Sequence, residues 1–146
     1  MSYPLLLTLH LLAAIAFIGT VFFEVIMLEG IRKHLPRETM REVERAIGNR
    51  ATRIMPFVLL VLYVAGLGLA WRHHGALFQL RNNSFGLLLA IKILLAFSVL
   101  GHFVTAMVWR RQGRLGGKRS RRLHLSVFSH VIVIVLLAKG MFYLQW

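Results

Sequence analysis

Residues 84–109 read SFGLLLAIKILLAFSVLGHFVTAMVW. The run exceeds the roughly 20 apolar residues that carry a helix across the ~30 Å hydrocarbon core of a bilayer. Lipid offers the backbone no hydrogen bonds, so a run of this kind is a helix. It also carries one cation, Lys92, and one imidazole, His102, at depths where lipid penalises them. An ionisable side chain inside a span marks a functional site.

Three more apolar runs flank this one, so the spans fall at about residues 3–28, 54–71, 84–109 and 123–145. Of 146 residues, 58% are hydrophobic, against about half in a soluble domain. The expectation is an all-α integral membrane protein: one four-helix up-down-up-down bundle, a single transmembrane domain over residues 1–146. Pro4 suits the opening turn of the first span, and Asn82, Asn83 and Ser84 suit the cap of the third. Pro56 lies near the start of the second span, with Gly66, Gly68 and Ala70 near its end. Small residues there let helices approach closely.

The net charge is +13, and its distribution explains it. Arg32, Lys33, Arg37, Arg41, Arg45, Arg50 and Arg53 lie between the first two spans. Arg110, Arg111, Arg114, Lys118, Arg119, Arg121 and Arg122 lie between the last two. The middle connection has only Arg72 and Arg81. This asymmetry puts the basic loops in the cytoplasm and both termini outside, as in a bacterial inner membrane. It accounts for the charge without nucleic acid, and it makes anionic lipid a partner. No Lys or Arg precedes the first span, so it is expected to be retained rather than cleaved as a signal peptide. The absence of cysteine excludes disulfides, thiolate metal sites, iron–sulfur clusters and covalently attached c-type haem.

Between the first two spans, Pro36 opens a stretch in which Met40, Val43 and Ile47 recur at helical spacing, and Gly48-Asn49 can end it. A short amphipathic cytoplasmic helix on the membrane face is expected there, with a solvated charged linker as the alternative. The second basic loop, with Gly113, Gly116, Gly117 and Ser120, is expected to be short and flexible. No internal repeat or low-complexity tract is apparent.

At about 1.5 Å per residue, His10 and Lys92 both lie about two turns in from the external face, on helices expected to be diagonal neighbours. Glu24, His102 and His130 share an inner layer. His10, Phe17 and Glu24 are spaced by seven, which keeps them near one face. Imidazoles converging from separate helices suit haem iron or a metal ion, and with no cysteine the cofactor to expect is haem b, one or two per chain. His10, His102 and His130, with the loop residue His74, are the candidate ligands. Lys92 or Arg72 would meet the propionates. Phe17, Phe22, Phe97 and Phe103 would wall the macrocycle, and Ala13, Ala14, Gly19, Ala96 and Gly101 would leave it room. Copper is the alternative metal, since histidine and thioether suit it and Met27, Met55 and Met107 fall near the inner face. The plainer readings are hydrogen bonding between helices for each buried histidine, snorkelling for Lys139 and interfacial positions for His73, His74 and His124. His34 reads as an ordinary loop residue.

These residues carry a family likeness. Leu9-His10-Leu11-Leu12 with Gly19, Met55-Pro56 with Gly66, Lys92 with His102, and Lys139 late in the last span resemble the four spans of the HemJ-type protoporphyrinogen oxidases and the related CopD-like membrane proteins. The resemblance covers all four spans and implies a haem-b-associated membrane protein, with His10 and Lys92 as the residues carried over and Lys92 as a catalytic group. Two departures stand out. Ser129-His130 replaces an Asn-Glu-like pair, and Glu24 lies where a Pro-Arg-like element is favoured. They point away from protoporphyrinogen chemistry itself and towards a second histidine site on the cytoplasmic side. The expected function is a membrane redox protein, transferring electrons or oxidising a lipid-accessible quinol or porphyrinogen. The alternatives are a non-catalytic subunit of a larger complex or homo-oligomer, and copper transport or tolerance.

Overall fold

The structure is a computed structural model and describes residues 2–78 and 83–144. The described residues are all-α. Helix α1 (Tyr3–Phe22) passes through a π-helical segment (Phe23–Leu28) into α2 (Glu29–Ile31). Helix α3 is Arg37–Arg72, α4 is His74–Leu77, α5 is Ser84–Arg111 and α6 is Gly117–Gly140. Four continuous helical stretches are long and apolar enough to cross a membrane: Tyr3–Ile31, Arg37–Arg72, Ser84–Arg111 and Gly117–Gly140. Their outward faces are apolar too, with Ile15 68%, Phe57 71%, Leu94 69% and Leu136 65% exposed. Water would not tolerate that much apolar surface on a monomer, whereas lipid would.

Helix ends depart from the sequence expectation in three places. The cytoplasmic amphipathic helix is not a separate element, because α3 runs unbroken from Arg37 through the second span. Glycine costs a helix only about 1 kcal/mol against alanine, so Gly48 does not stop one whose next residues are helix formers. Pro56 also lies inside α3. It removes one backbone donor, a loss that membrane helices absorb. The second basic loop is shorter than expected, since α6 begins at Gly117 and takes Lys118, Arg119, Arg121 and Arg122 into its first turns. Arg119 lies over the Trp109 ring at 5.9 Å, which holds the start of α6 to the end of α5. Gly113 makes the turn between them at φ 67°, a left-handed conformation suited to glycine. The first span, finally, contains a π-helical segment that carries Glu24.

The chain divides into two compact units, Met1–Leu67 and Gly68–Trp146. In the first, α1 buries Leu6, Ala13, Phe17 and Val21, and Leu28 continues the same stripe. Phe17 lies in the buried seam, as its heptad position indicates, and His10 and Glu24 flank it half-buried. Arg32 bridges Glu29 and Glu44, so the 32–36 turn is tied to α3. Burial alone would lower the Arg32 pKa. The hydrogen bonds and charges of both carboxylates outweigh that and raise it.

In the second unit α5 and α6 pack against each other, and α4 seats on the start of α5. Leu88, Leu89 and Met141 form the core, with Leu77, Phe85, Ile93 and Leu137 around them. The Asn83 side chain caps α5 by accepting from the Gly86 N–H at 3.3 Å. Asn82 and Arg81 lie outside the described residues. Gly86 has no alternative: a Cβ there would lie 2.1 Å from the Ala76 carbonyl oxygen.

Candidate functional site

Helices α5 and α6 each carry a serine four residues before a histidine: Ser98 and His102, Ser126 and His130. Four residues is about one helical turn, so each pair lies on one face. Because the two helices run antiparallel, Ser98 comes level with His130 and Ser126 with His102. The hydrogen bonds follow that symmetry. His102 Nδ1 donates to its own helix at the Ser98 carbonyl, 2.8 Å, and His130 Nδ1 donates to the Ser126 carbonyl, 2.7 Å. Since a carbonyl only accepts, both rings are N–H at Nδ1. Each Nε2 then accepts from the opposite serine: Ser126 Oγ to His102 Nε2 at 2.9 Å, and Ser98 Oγ to His130 Nε2 at 3.1 Å. The two rings touch, with centroids 5.2 Å apart and planes tilted by 55°. Four side chains thus satisfy one another in an apolar stretch, where an unmet polar group is expensive.

The sequence reading placed His102 and His130 at one level, and in the structure they meet. It missed Ser98 and Ser126 and singled out Ser129 instead, which is exposed and bonds back to the Leu125 carbonyl at 3.0 Å. A signal was available, because Ser-Val-Leu-Gly-His at 98–102 and Ser-Val-Phe-Ser-His at 126–130 share one spacing. Where no internal repeat was expected, this short one exists.

His10 is anchored differently. Its Nδ1 donates to the Leu62 carbonyl on α3 at 2.9 Å. In a helix the side chain four residues on shields a carbonyl, and here that residue is Gly66. A Cβ on Gly66 would lie 2.9 Å from His10 Cε1 and 3.1 Å from Nδ1. The glycine therefore admits the ring. His10, His102 and His130 are each held through Nδ1 by a backbone carbonyl, which makes Nε2 the nitrogen with the lone pair in the neutral ring.

The remaining candidates are dispersed. Lys92 is half-buried on α5 and makes no hydrogen bond or ion pair among the described residues. Arg72 ends α3 and is exposed. His74 donates through Nδ1 to the Trp71 carbonyl at 2.7 Å and stacks on the Trp71 ring at 5.6 Å, while His73 lies against Phe85 at 5.2 Å. Both are bound up in the aromatic end of the second unit. Lys139 reaches the Tyr143 ring at 4.9 Å, which suits an ammonium at the end of a span. Phe22 and Phe97 are about half exposed, and Phe17 is buried. A Cβ at Gly19 or Gly101 would meet open space. Met27 is 52% exposed. Among the described residues no three His, Asp or Glu side chains form a group that could hold a metal ion. Comparison with family models, curated proteins and solved structures finds no match for this chain.

A sandwiched haem does not fit the His102–His130 pair in this arrangement. A haem held between the two would need both Nε2 atoms and room between the rings, whereas these rings touch and each Nε2 is paired with a serine. The His10 Nδ1–Leu62 hydrogen bond is of the kind that would fit a histidine holding a metal group. A metal-bound histidine characteristically donates its other ring N–H to a carbonyl or carboxylate, which fixes the tautomer and the ring plane.

Proposed function

We propose that this chain is an integral membrane redox protein that holds one haem b through His10. The observation that carries the reading is the His10–Leu62 hydrogen bond at 2.9 Å across Gly66. It orients the ring and selects the Nδ1–H tautomer, in which Nε2 is the nitrogen that carries the lone pair. Haem b, when bound, supplies one-electron chemistry that the protein's own side chains lack. The chain contributes the ligand, a low-dielectric setting and fixed charge. Substrate oxidation from the lipid phase, with a quinol or porphyrinogen, is the activity this arrangement favours.

The same reading places the chain in a bacterial inner membrane with both termini external. Its basic segments, Arg32–Arg53 and Arg110–Arg122, then face anionic headgroups on the cytoplasmic side. The accessory-subunit reading has no hydrogen-bonded anchor behind it, and copper, which would use the same His10 nitrogen, is the second metal to test. Protein purified from a haem-replete host is expected to show a Soret band. His10→Ala is expected to abolish that band while the protein still purifies as a folded species. A wild-type preparation without a Soret band refutes the assignment.

A further inference from the structure

We propose that Ser98, His102, Ser126 and His130 form an intramembrane proton-loading site that takes up one proton per chain. The inference stands apart from haem binding, since none of the four is assigned to iron.

In the neutral form of the pair, each Nδ1–H is fixed on a carbonyl of the same helix and each Nε2 accepts a serine proton. A proton arriving at either Nε2 turns that nitrogen into a donor. Its serine then accepts through Oγ and turns its own O–H towards the carbonyl one turn back, a bond that helical serines make readily. Thr8, Thr20, Thr105 and Ser129 already bond in that way, at 2.8–3.0 Å. Charging therefore costs the cluster no hydrogen bond. It only reverses the direction of one, and the new bond is charge-assisted and stronger.

The second step is limited by geometry. With ring centroids 5.2 Å apart, two imidazoliums would repel strongly in this setting. The pair therefore behaves as one coupled acceptor rather than two sites. The surroundings favour release as well. Neither α5 nor α6 carries an Asp or Glu. The other titratable or cationic groups on these helices are Lys92, Arg110 and Arg111 on α5, and Lys118, Arg119, Arg121, Arg122, His124 and Lys139 on α6. Helix α4, which packs on α5, adds His74, with His73 beside it. No carboxylate from these elements locks the charge in place, so the proton is carried rather than stored. The two levels lie one turn, about 6 Å, apart along the helix axis.

The test is ¹⁵N-histidine NMR of the full-length protein in nanodiscs across a pH series, with His102→Gln and His130→Gln used for assignment. In the basic range both rings are expected as Nδ1–H tautomers. Acidification is expected to give one imidazolium per chain, with the second proton binding at least tenfold more weakly. Ser98→Ala and Ser126→Ala combined should weaken uptake of the first proton about tenfold, the value of one charge-assisted hydrogen bond, while either change alone should direct that proton to the ring that keeps its serine. Ser98→Thr and Ser126→Thr keep the hydroxyl and should restore it. Independent titration of the two rings with equal affinity overturns the proposal. So does an Nε2–H resting tautomer, uptake unaffected by loss of the hydroxyls, or a pair that stays neutral until the protein unfolds. A colourless but proton-loading protein would sink the haem assignment alone.

Discussion

A missing Cβ determines each of two contacts described above. Gly66 exposes the Leu62 carbonyl to His10, and Gly86 lets the α4 backbone rest on the start of α5. The second case is the more severe, because the obstacle at 2.1 Å is a backbone carbonyl that cannot swing aside. Gly86→Ala is expected to destabilise the second unit by about 1–3 kcal/mol, the usual range for overpacking. Limited proteolysis should then cut at His73–Phe78, and the thermal midpoint should fall. An unchanged midpoint would mean that α4 does not sit there. Polar residues within the spans were legible as anomalies, because lipid makes each of them costly. Their partners were less legible. Serine is common in membrane helices and usually bonds to its own backbone, so Ser98 and Ser126 looked no different from Ser129 until α5 and α6 were seen to face each other.

At the scale of elements, the four long helices followed from apolar length alone, since hydrocarbon leaves a backbone no other choice. Their ends did not. Gly48-Asn49 reads as a helix end and Gly116, Gly117 and Ser120 as loop, yet α3 passes through the first and α6 begins at Gly117. Glycine is a weak breaker, and its cost of about 1 kcal/mol is easily offset by neighbouring helix formers. The π-helical segment around Glu24 left no trace in composition or spacing. Gly113 differs from the other loop glycines because its φ of 67° requires the left-handed region. Gly113→Ala should therefore cost about 1 kcal/mol, and Gly113→Asn less, as asparagine tolerates that conformation better. Denaturant or thermal unfolding in detergent would measure both. Equal stability of all three proteins would show that the α5–α6 turn can form without that conformation.

For the whole molecule, charge asymmetry and apolar length together make a membrane protein from sequence alone, and the all-α structure agrees. The functional centre was legible only in part. His10, His102 and His130 were all candidate haem ligands, and nothing in their spacing distinguished them. Their hydrogen bonds do. Two of the rings close on each other through serines, while the third is anchored to α3 by Nδ1. On the two proposals made above, the first two rings form the proton-loading pair and the third is the iron ligand. Pyridine haemochrome quantitation of the purified wild-type protein, with His10→Ala, His102→Gln and His130→Gln beside it, tests that division most directly. The expected result is one haem b per chain in the wild type and in both glutamine variants, and none in His10→Ala. Two haems per chain, or loss of haem on replacing His102 or His130, would contradict it.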